Sequence, residues 1–118
     1  MAKAAIVLLA DTETPEGTGR MANALTTARE FAESGDDVRV IFDGAGVKWV
    51  PTLLDEDHKY HGLLNSIREH VDGACAYCAR AYGVKDAIDE ADFPLTAEYR
   101  DHPSLRSLVV DGYEVITF

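Results

Sequence analysis

Ala4-Ala5-Ile6-Val7-Leu8-Leu9-Ala10 is an unbroken apolar run close to the start of the chain. A strand with one solvated face alternates apolar and polar residues, whereas a strand covered on both faces reads as a continuous apolar segment. The run therefore predicts a central strand of a parallel sheet with helices above and below it. It is far shorter than a membrane span, and with only Lys3 before it and no cleavage region after it, it is not read as a leader segment either.

The residues that follow extend this into a repeating pattern. Asp11 to Arg20 is rich in Thr, Gly and Glu and reads as a loop at the carboxyl end of the first strand. From about Gly19 to Ser34, the residues Met21, Leu25, Ala28, Phe31 and Ala32 mark one helical face, and Gly35 is a stop signal. Val38-Arg39-Val40-Ile41-Phe42 is a second strand, so the chain opens as a β-α-β unit, a crossover that is nearly always right-handed. Gly44, Gly46 and Pro51 break up the next segment into one or two short helical turns. His61 to Val71 is helical again, with Leu63, Leu64, Ile67 and Val71 inward.

Val71 to Cys75 reads as a very short strand despite Asp72 and Gly73, both poor strand formers. It leads into a helix from about Cys75 to Tyr82 that ends at Gly83. Lys85 to Ala91 adds a helical turn or two, ended by Phe93-Pro94. Pro103 lies just inside the start and Gly112 just past the end of a last helix with Leu105, Leu108 and Val109 on one face. Tyr113 to Phe118 is the final strand. The expected fold is a single α/β domain over residues 1–118, a three-layer sandwich around four or five mainly parallel strands and flavodoxin-like in general architecture.

Charge narrows the partners. With 21 acidic residues against 11 basic ones the net charge is −10, which repels nucleic acid and anionic membranes, and no basic cluster compensates locally. Such a surface is typical of proteins adapted to high salt, where dense carboxylates hold a hydrated shell. Two cysteines are too few for a secreted disulfide framework, and the expected compartment is the reducing cytoplasm.

Those two cysteines form a C-x-x-C pair in Gly73-Ala74-Cys75-Ala76-Tyr77-Cys78-Ala79-Arg80-Ala81-Tyr82-Gly83. Placed where a strand gives way to a helix, the sulfurs lie near each other on one face, and Cys75 meets unpaired backbone N–H groups that favour a thiolate. The bare pattern serves thiol-disulfide exchange, half of a metal site, or core packing. Metal binding would need further ligands. The histidines weighed for this are His58 and His61, in an H-x-x-H, and His70, but no second tight pair has finger-like spacing, so neither a metal nor a cofactor is expected. Arg80 adds positive potential near Cys75 or forms a surface ion pair. The loop from Asp11 to Gly19 occupies the place where doubly wound sheets bind phosphates, and its threonines are similar to those of a flavodoxin FMN loop. Glu13 and Glu16 would repel a phosphate, however, and Pro15 removes a donor. Trp49, Tyr60, Tyr77 and Tyr82 either surround Cys75 or pack in the core or an interface.

The chain resembles the DsrE/DsrF-like proteins of sulfur relay and sulfur oxidation. The resemblance rests on the opening strand, Gly-containing loop and helix, on a second strand ending in Phe42-Asp43-Gly44, on Cys75 eight residues before Gly83, and on the closing helix and strand from Leu105 to Phe118. It implies a sulfur carrier or sulfurtransferase that holds sulfane sulfur as a persulfide on Cys75, with Cys78 as an auxiliary thiol. It also implies sulfur donor and acceptor proteins or small sulfur compounds as partners, and homo-oligomers, commonly trimers or hexamers. Two other readings stand beside it: a non-catalytic oligomeric binding module with structural cysteines, and a thiol-disulfide redox protein using the Cys75/Cys78 pair.

Overall fold

The computed structural model describes Met1–Phe118. Strand β1 (Lys3–Leu8) is followed by helix α1 (Pro15–Glu33), strand β2 (Asp37–Phe42), a 3-10 turn (Gly44–Lys48), and helices α2 (Trp49–Leu54) and α3 (His61–Ile67). After a second 3-10 turn (Arg68–His70) come β3 (Val71–Cys75), α4 (Ala76–Ala81), α5 (Lys85–Glu90), β4 (Leu95–Thr96), α6 (Leu105–Val110) and β5 (Glu114–Thr117). The five strands form one sheet in the order β4-β3-β2-β1-β5, and every pairing is parallel. No helix is long and apolar enough to cross a membrane.

The apolar run does what its continuity predicts. Ala4, Ile6 and Leu8 point into the larger core with Val40 and Phe42 of β2, Met21 and Leu25 of α1, Trp49 of α2 and Leu64 of α3. Ala5, Val7 and Ile41 point the other way, onto Leu108 of α6. The strand ends at Leu8, two residues earlier than the run suggests. Leu9 is 43% exposed, because the sheet stops at this edge and the chain leaves it for the loop that leads to α1.

Helix α1 begins at Pro15, earlier than the expected Gly19. Thr14 is its N-cap, with Oγ1 accepting from the Gly17 N–H at 2.9 Å, and Pro15 takes the first helical position, where its missing N–H costs nothing. The supposed loop from Pro15 to Arg20 is thus the start of the helix. The cap contributes about 1 kcal/mol, while burying Met21 and Leu25 contributes roughly 1.5–3 kcal/mol each, so packing holds the helix and the cap sets where it starts. Gly35, at φ +77°, ends it; the Gly35 and Asp36 N–H groups close back on the Ala32 and Phe31 carbonyls.

Strand β3 forms in spite of Asp72 and Gly73 because each has a specific role. Asp72 pairs with Arg39 on the neighbouring strand at 2.7 Å. Gly73, at φ +150°, lets the Pro94 carbonyl approach so closely that a Cβ there would stand 2.6 Å from its oxygen. That approach seats the Ala74 N–H on Pro94 O at 3.0 Å and brings in β4, a two-residue edge strand where the sequence suggested only a helix end. At the other edge, Ser104 caps α6, so Pro103 lies just outside the helix rather than just inside its start, and Val109 is 61% exposed instead of lying on the buried face.

Gly73→Ala is expected to cost about 1–3 kcal/mol through backbone strain and the Pro94 overlap, read as a lower urea midpoint. Gly62→Ala, in α3 with open space around it, should be neutral or stabilising by up to about 1 kcal/mol. Equal effects at the two positions would show that the Gly73 approach is not what admits β4.

Candidate functional site

In a parallel sheet the carboxyl ends of all strands share one edge, and there β2, β3 and the chain after β4 converge. Cys75 is the last residue of β3 and at the same time the N-cap of α4, its Sγ accepting from the Cys78 N–H at 3.4 Å. Gly83, at φ +72°, ends that helix as expected, with the Gly83 and Val84 N–H groups returning to the Arg80 and Ala79 carbonyls. Asp43 follows β2 directly and caps the 3-10 turn by accepting from the Gly44 N–H at 2.8 Å. The Cys78 thiol donates to the same carboxylate oxygen at 3.5 Å.

His102 completes the group. Its Nδ1 lies 3.3 Å from Cys75 Sγ, at the end of a tight turn, Tyr99–His102, closed by reciprocal backbone bonds of 2.9 and 2.8 Å. Arg100 and Asp101 in that turn have φ of +50° and +65°, a left-handed conformation that non-glycine residues adopt at a cost. The turn is held down onto α4: Tyr77 N–H donates to Asp101 O at 2.9 Å, the Arg80 guanidinium meets the Asp101 carboxylate at 2.8 Å, and the Tyr77 and His102 rings lie 4.8 Å apart. Arg80 therefore forms the surface ion pair, a bond worth at most about 1 kcal/mol at such exposure.

The turn has a chemical consequence. Cys75 is fully buried and Cys78 nearly so, and neither lines a surface cavity. Burial pushes the Cys75 thiol up to about 12, against an ordinary value of 9.0; the Cys78 N–H opposes this, while the Cys78 thiol and the Asp43 charge add to it. This corrects the expectation of a thiolate favoured by the helix start. Helix α4 is only six residues long, and desolvation outweighs the help of its N–H groups.

The other candidates are employed elsewhere. His58 Nδ1 accepts from the Tyr60 N–H, His61 Nδ1 faces the Leu53 carbonyl and its Nε2 the Asn65 amide, and His70 sits beside Glu69. Of the four aromatic residues, Tyr77 borders the site; the Trp49 indole donates to Ala10 O and packs against His58, Tyr60 also meets His58, and Tyr82 is half-exposed. In the loop after β1, the Thr12 and Gly17 N–H groups are taken by Asp11 and Thr14, and the hydrogen bond from Lys48 holds the Asp11 carboxyl below its usual range. Sequence reasoning named Asp43 only within the strand end Phe42-Asp43-Gly44 and gave neither it nor His102 a role at the site. The one signal for either was that strand end, where Asp43 is the first polar residue after a buried strand.

The fold and this site define a small parallel α/β protein that presents a cysteine at the carboxyl edge of its sheet, at the head of a short helix. The DsrE/DsrF-like family model matches residues 5–118, and the chain belongs to that family. It is 30% identical over 96 residues to the uncharacterized protein MJ0733 of Methanocaldococcus jannaschii, a match covering 81% of this chain and 78% of that one. The solved structure of a conserved protein of unknown function, BT1422 from Bacteroides thetaiotaomicron, shares the fold with a TM-score of 0.63 at 17% identity, over 97% of this chain and 94% of the other.

The raised Cys75 thiol makes a stability prediction. Folding tightens its hold on the proton, so its contribution is complete below 9.0 and is lost as pH rises from there towards about 12. The urea midpoint of the wild type should fall between about pH 8 and about pH 10.5 by more than that of Cys75→Ala. Parallel curves for the two proteins would show a thiol that titrates alike folded and unfolded.

Proposed function

We propose that this protein carries or transfers sulfane sulfur as a persulfide on Cys75, with Cys78 as the auxiliary thiol. The observation that carries the reading is the Cys75 Sγ to His102 Nδ1 distance of 3.3 Å, since it gives a neutral, buried thiol a base within reach. Membership of the DsrE/DsrF-like family supports the same chemistry.

The reaction follows from that pair. With its own proton on Nε2, His102 accepts the Cys75 thiol proton at Nδ1. The Cys75 thiolate attacks the outer sulfur of a donor persulfide, R–S–SH. A Cys75 S–S bond forms as the donor S–S bond breaks, and the leaving thiolate recovers the proton from His102. An acceptor thiol reverses these steps. Alternatively, the Cys78 thiol attacks the inner sulfur of the Cys75 persulfide, expelling sulfide and leaving a Cys75–Cys78 disulfide that a thiol reductant reopens. Access requires the Tyr99–His102 turn to lift, and its two left-handed residues and exposed ion pair lower the cost of that motion. Donor and acceptor are proteins or small sulfur compounds, and a homo-oligomer, trimer or hexamer, working in the cytoplasm goes with this reading.

Incubation with a sulfane-sulfur donor should add sulfur to the wild type and to Cys78→Ala, read by intact mass. His102→Ala should react roughly 100-fold more slowly, the usual share of a general base. Equal sulfur uptake by Cys75→Ala would overturn the assignment.

The full burial of Cys75 favours the second reading, a non-catalytic oligomeric binding module with structural cysteines, and native-state alkylation separates the two. A Cys75 released by lifting of the turn should label at a rate almost independent of low urea concentration. A structural cysteine should label only through global unfolding, with the steep urea dependence of the whole domain.

A further inference from the structure

Asp43, Cys75, Cys78 and His102 offer one carboxylate oxygen, two sulfurs and one imidazole nitrogen, and these four atoms all lie within 4.8 Å of one another. They come from three separate segments: the residue after β2, the β3–α4 junction, and the turn that follows β4. Two of the separations are 3.3 Å, Cys75 Sγ to His102 Nδ1, and 3.5 Å, Cys78 Sγ to Asp43 Oδ1. In a tetrahedral zinc site, with bonds of about 2.3 Å to sulfur and about 2.0–2.2 Å to nitrogen or oxygen, ligand atoms stand roughly 3.3–3.8 Å apart. Two edges of the group thus already have tetrahedral length. Since no separation exceeds 4.8 Å, closure asks the longest edge to shorten by no more than about 1.5 Å, shared between the two side chains that form it.

We propose that these four side chains form a zinc site, independent of the sulfur-relay reading although it shares Cys75 and Cys78. Two sulfurs with one nitrogen and one oxygen select a borderline-soft ion of tetrahedral preference and disfavour magnesium or calcium, which take oxygen ligands. The supports that orient ligands are in place. The Gly44 N–H fixes the Asp43 oxygen at 2.8 Å, the Tyr77 ring fixes the His102 imidazole, and the Cys78 N–H is aimed at Cys75 Sγ, where it would stabilise a thiolate. Binding converts both thiols to thiolates: two S–H bonds break, two Zn–S bonds form, and two protons pass to solvent. His102 coordinates as neutral imidazole and Asp43 as carboxylate. The lone pairs of Cys75 that would attack a donor sulfur are then held by the ion, so zinc and sulfur compete for this residue.

The test is titration of the reduced, metal-stripped full chain with zinc alone against a chromophoric chelator, and with cobalt(II) alone by absorption. The expected result is one zinc per chain, release of two protons, and a cobalt spectrum with sulfur-to-metal charge transfer and intense tetrahedral bands. Cys75→Ser, Cys78→Ser, His102→Ala and Asp43→Asn, each checked for folding by circular dichroism, should weaken binding by more than the roughly 10–100-fold that loss of a supporting residue costs. His58→Ala should bind as the wild type does. Absence of stoichiometric zinc, binding that survives both Cys75→Ser and His102→Ala, or a weak octahedral cobalt spectrum would each overturn the site. Sulfur uptake by the metal-free chain is read separately by mass. A chain that takes sulfur but no zinc refutes only the metal site, and a chain that binds zinc but takes no sulfur refutes only the relay.

Discussion

Everything at the candidate site depends on the parallel register of β2, β3 and β4. Phe42 stands opposite Ala74, and Cys75 opposite Thr96, so Asp43, Cys75 and the chain beyond Thr96 leave the sheet at the same edge and nearly the same level. An antiparallel neighbour would send one of them to the far side. The least secure member is β4, two residues long, and it is held by the single place where the backbone of β3 lacks a side chain. The glycine that looked like a defect in a strand is therefore what brings the His102 segment within reach of the cysteine.

This dependence explains which parts were legible in the sequence. The run from Ala4 to Leu8 announced a strand buried on both sides because continuity of apolar residues is a local signal with one physical reading. Gly35 and Gly83 announced helix ends in the same way, and Cys75 could be placed at a strand-to-helix junction from its immediate neighbours. Pro15 is a local signal with two readings: it is a loop former unless Thr14 before it is recognised as a cap, which makes it the first residue of α1. Leu95 and Thr96 carry too few residues to show a period. Asp43 and His102 are 32 and 27 positions from Cys75, and only the tertiary register brings them to it. The histidines with conspicuous spacing, His58 and His61, have their bonds to Tyr60, Leu53 and Asn65 instead of the cysteines, because sequence proximity between histidines says nothing about proximity to sulfur.

The charge state of Cys75 shows why a motif alone does not settle chemistry. A cysteine at a helix start is expected to ionise easily, and the Cys78 N–H does favour the thiolate. The same residue lies beneath Asp101 and His102, out of contact with water, beside a carboxylate. Loss of hydration penalises the charged form more than one N–H at the head of a six-residue helix can repay. The site thus holds the thiol as S–H with the His102 imidazole 3.3 Å away, and on the relay reading ionisation would accompany whatever displaces the turn or supplies a compensating positive charge.

That arrangement gives the Tyr99–His102 turn a part in any chemistry at Cys75. Its backbone at Arg100 and Asp101 is strained, its anchoring ion pair is half-exposed, and its other ties to α4 are the Tyr77 N–H to the Asp101 carbonyl and the packing of Tyr77 on His102. A cover that was meant only to seal a structural cysteine would be expected to use apolar side chains and relaxed backbone. This one is built from polar groups, and on the relay reading it would supply both the base for the thiol and the segment that moves to admit a reactant. Coupling the two in one turn means that exposure of the sulfur also shifts its proton acceptor. The relay reading therefore requires the imidazole to follow the thiol during opening, with Tyr77, anchored on α4 next to Cys75, as the side chain placed to guide it.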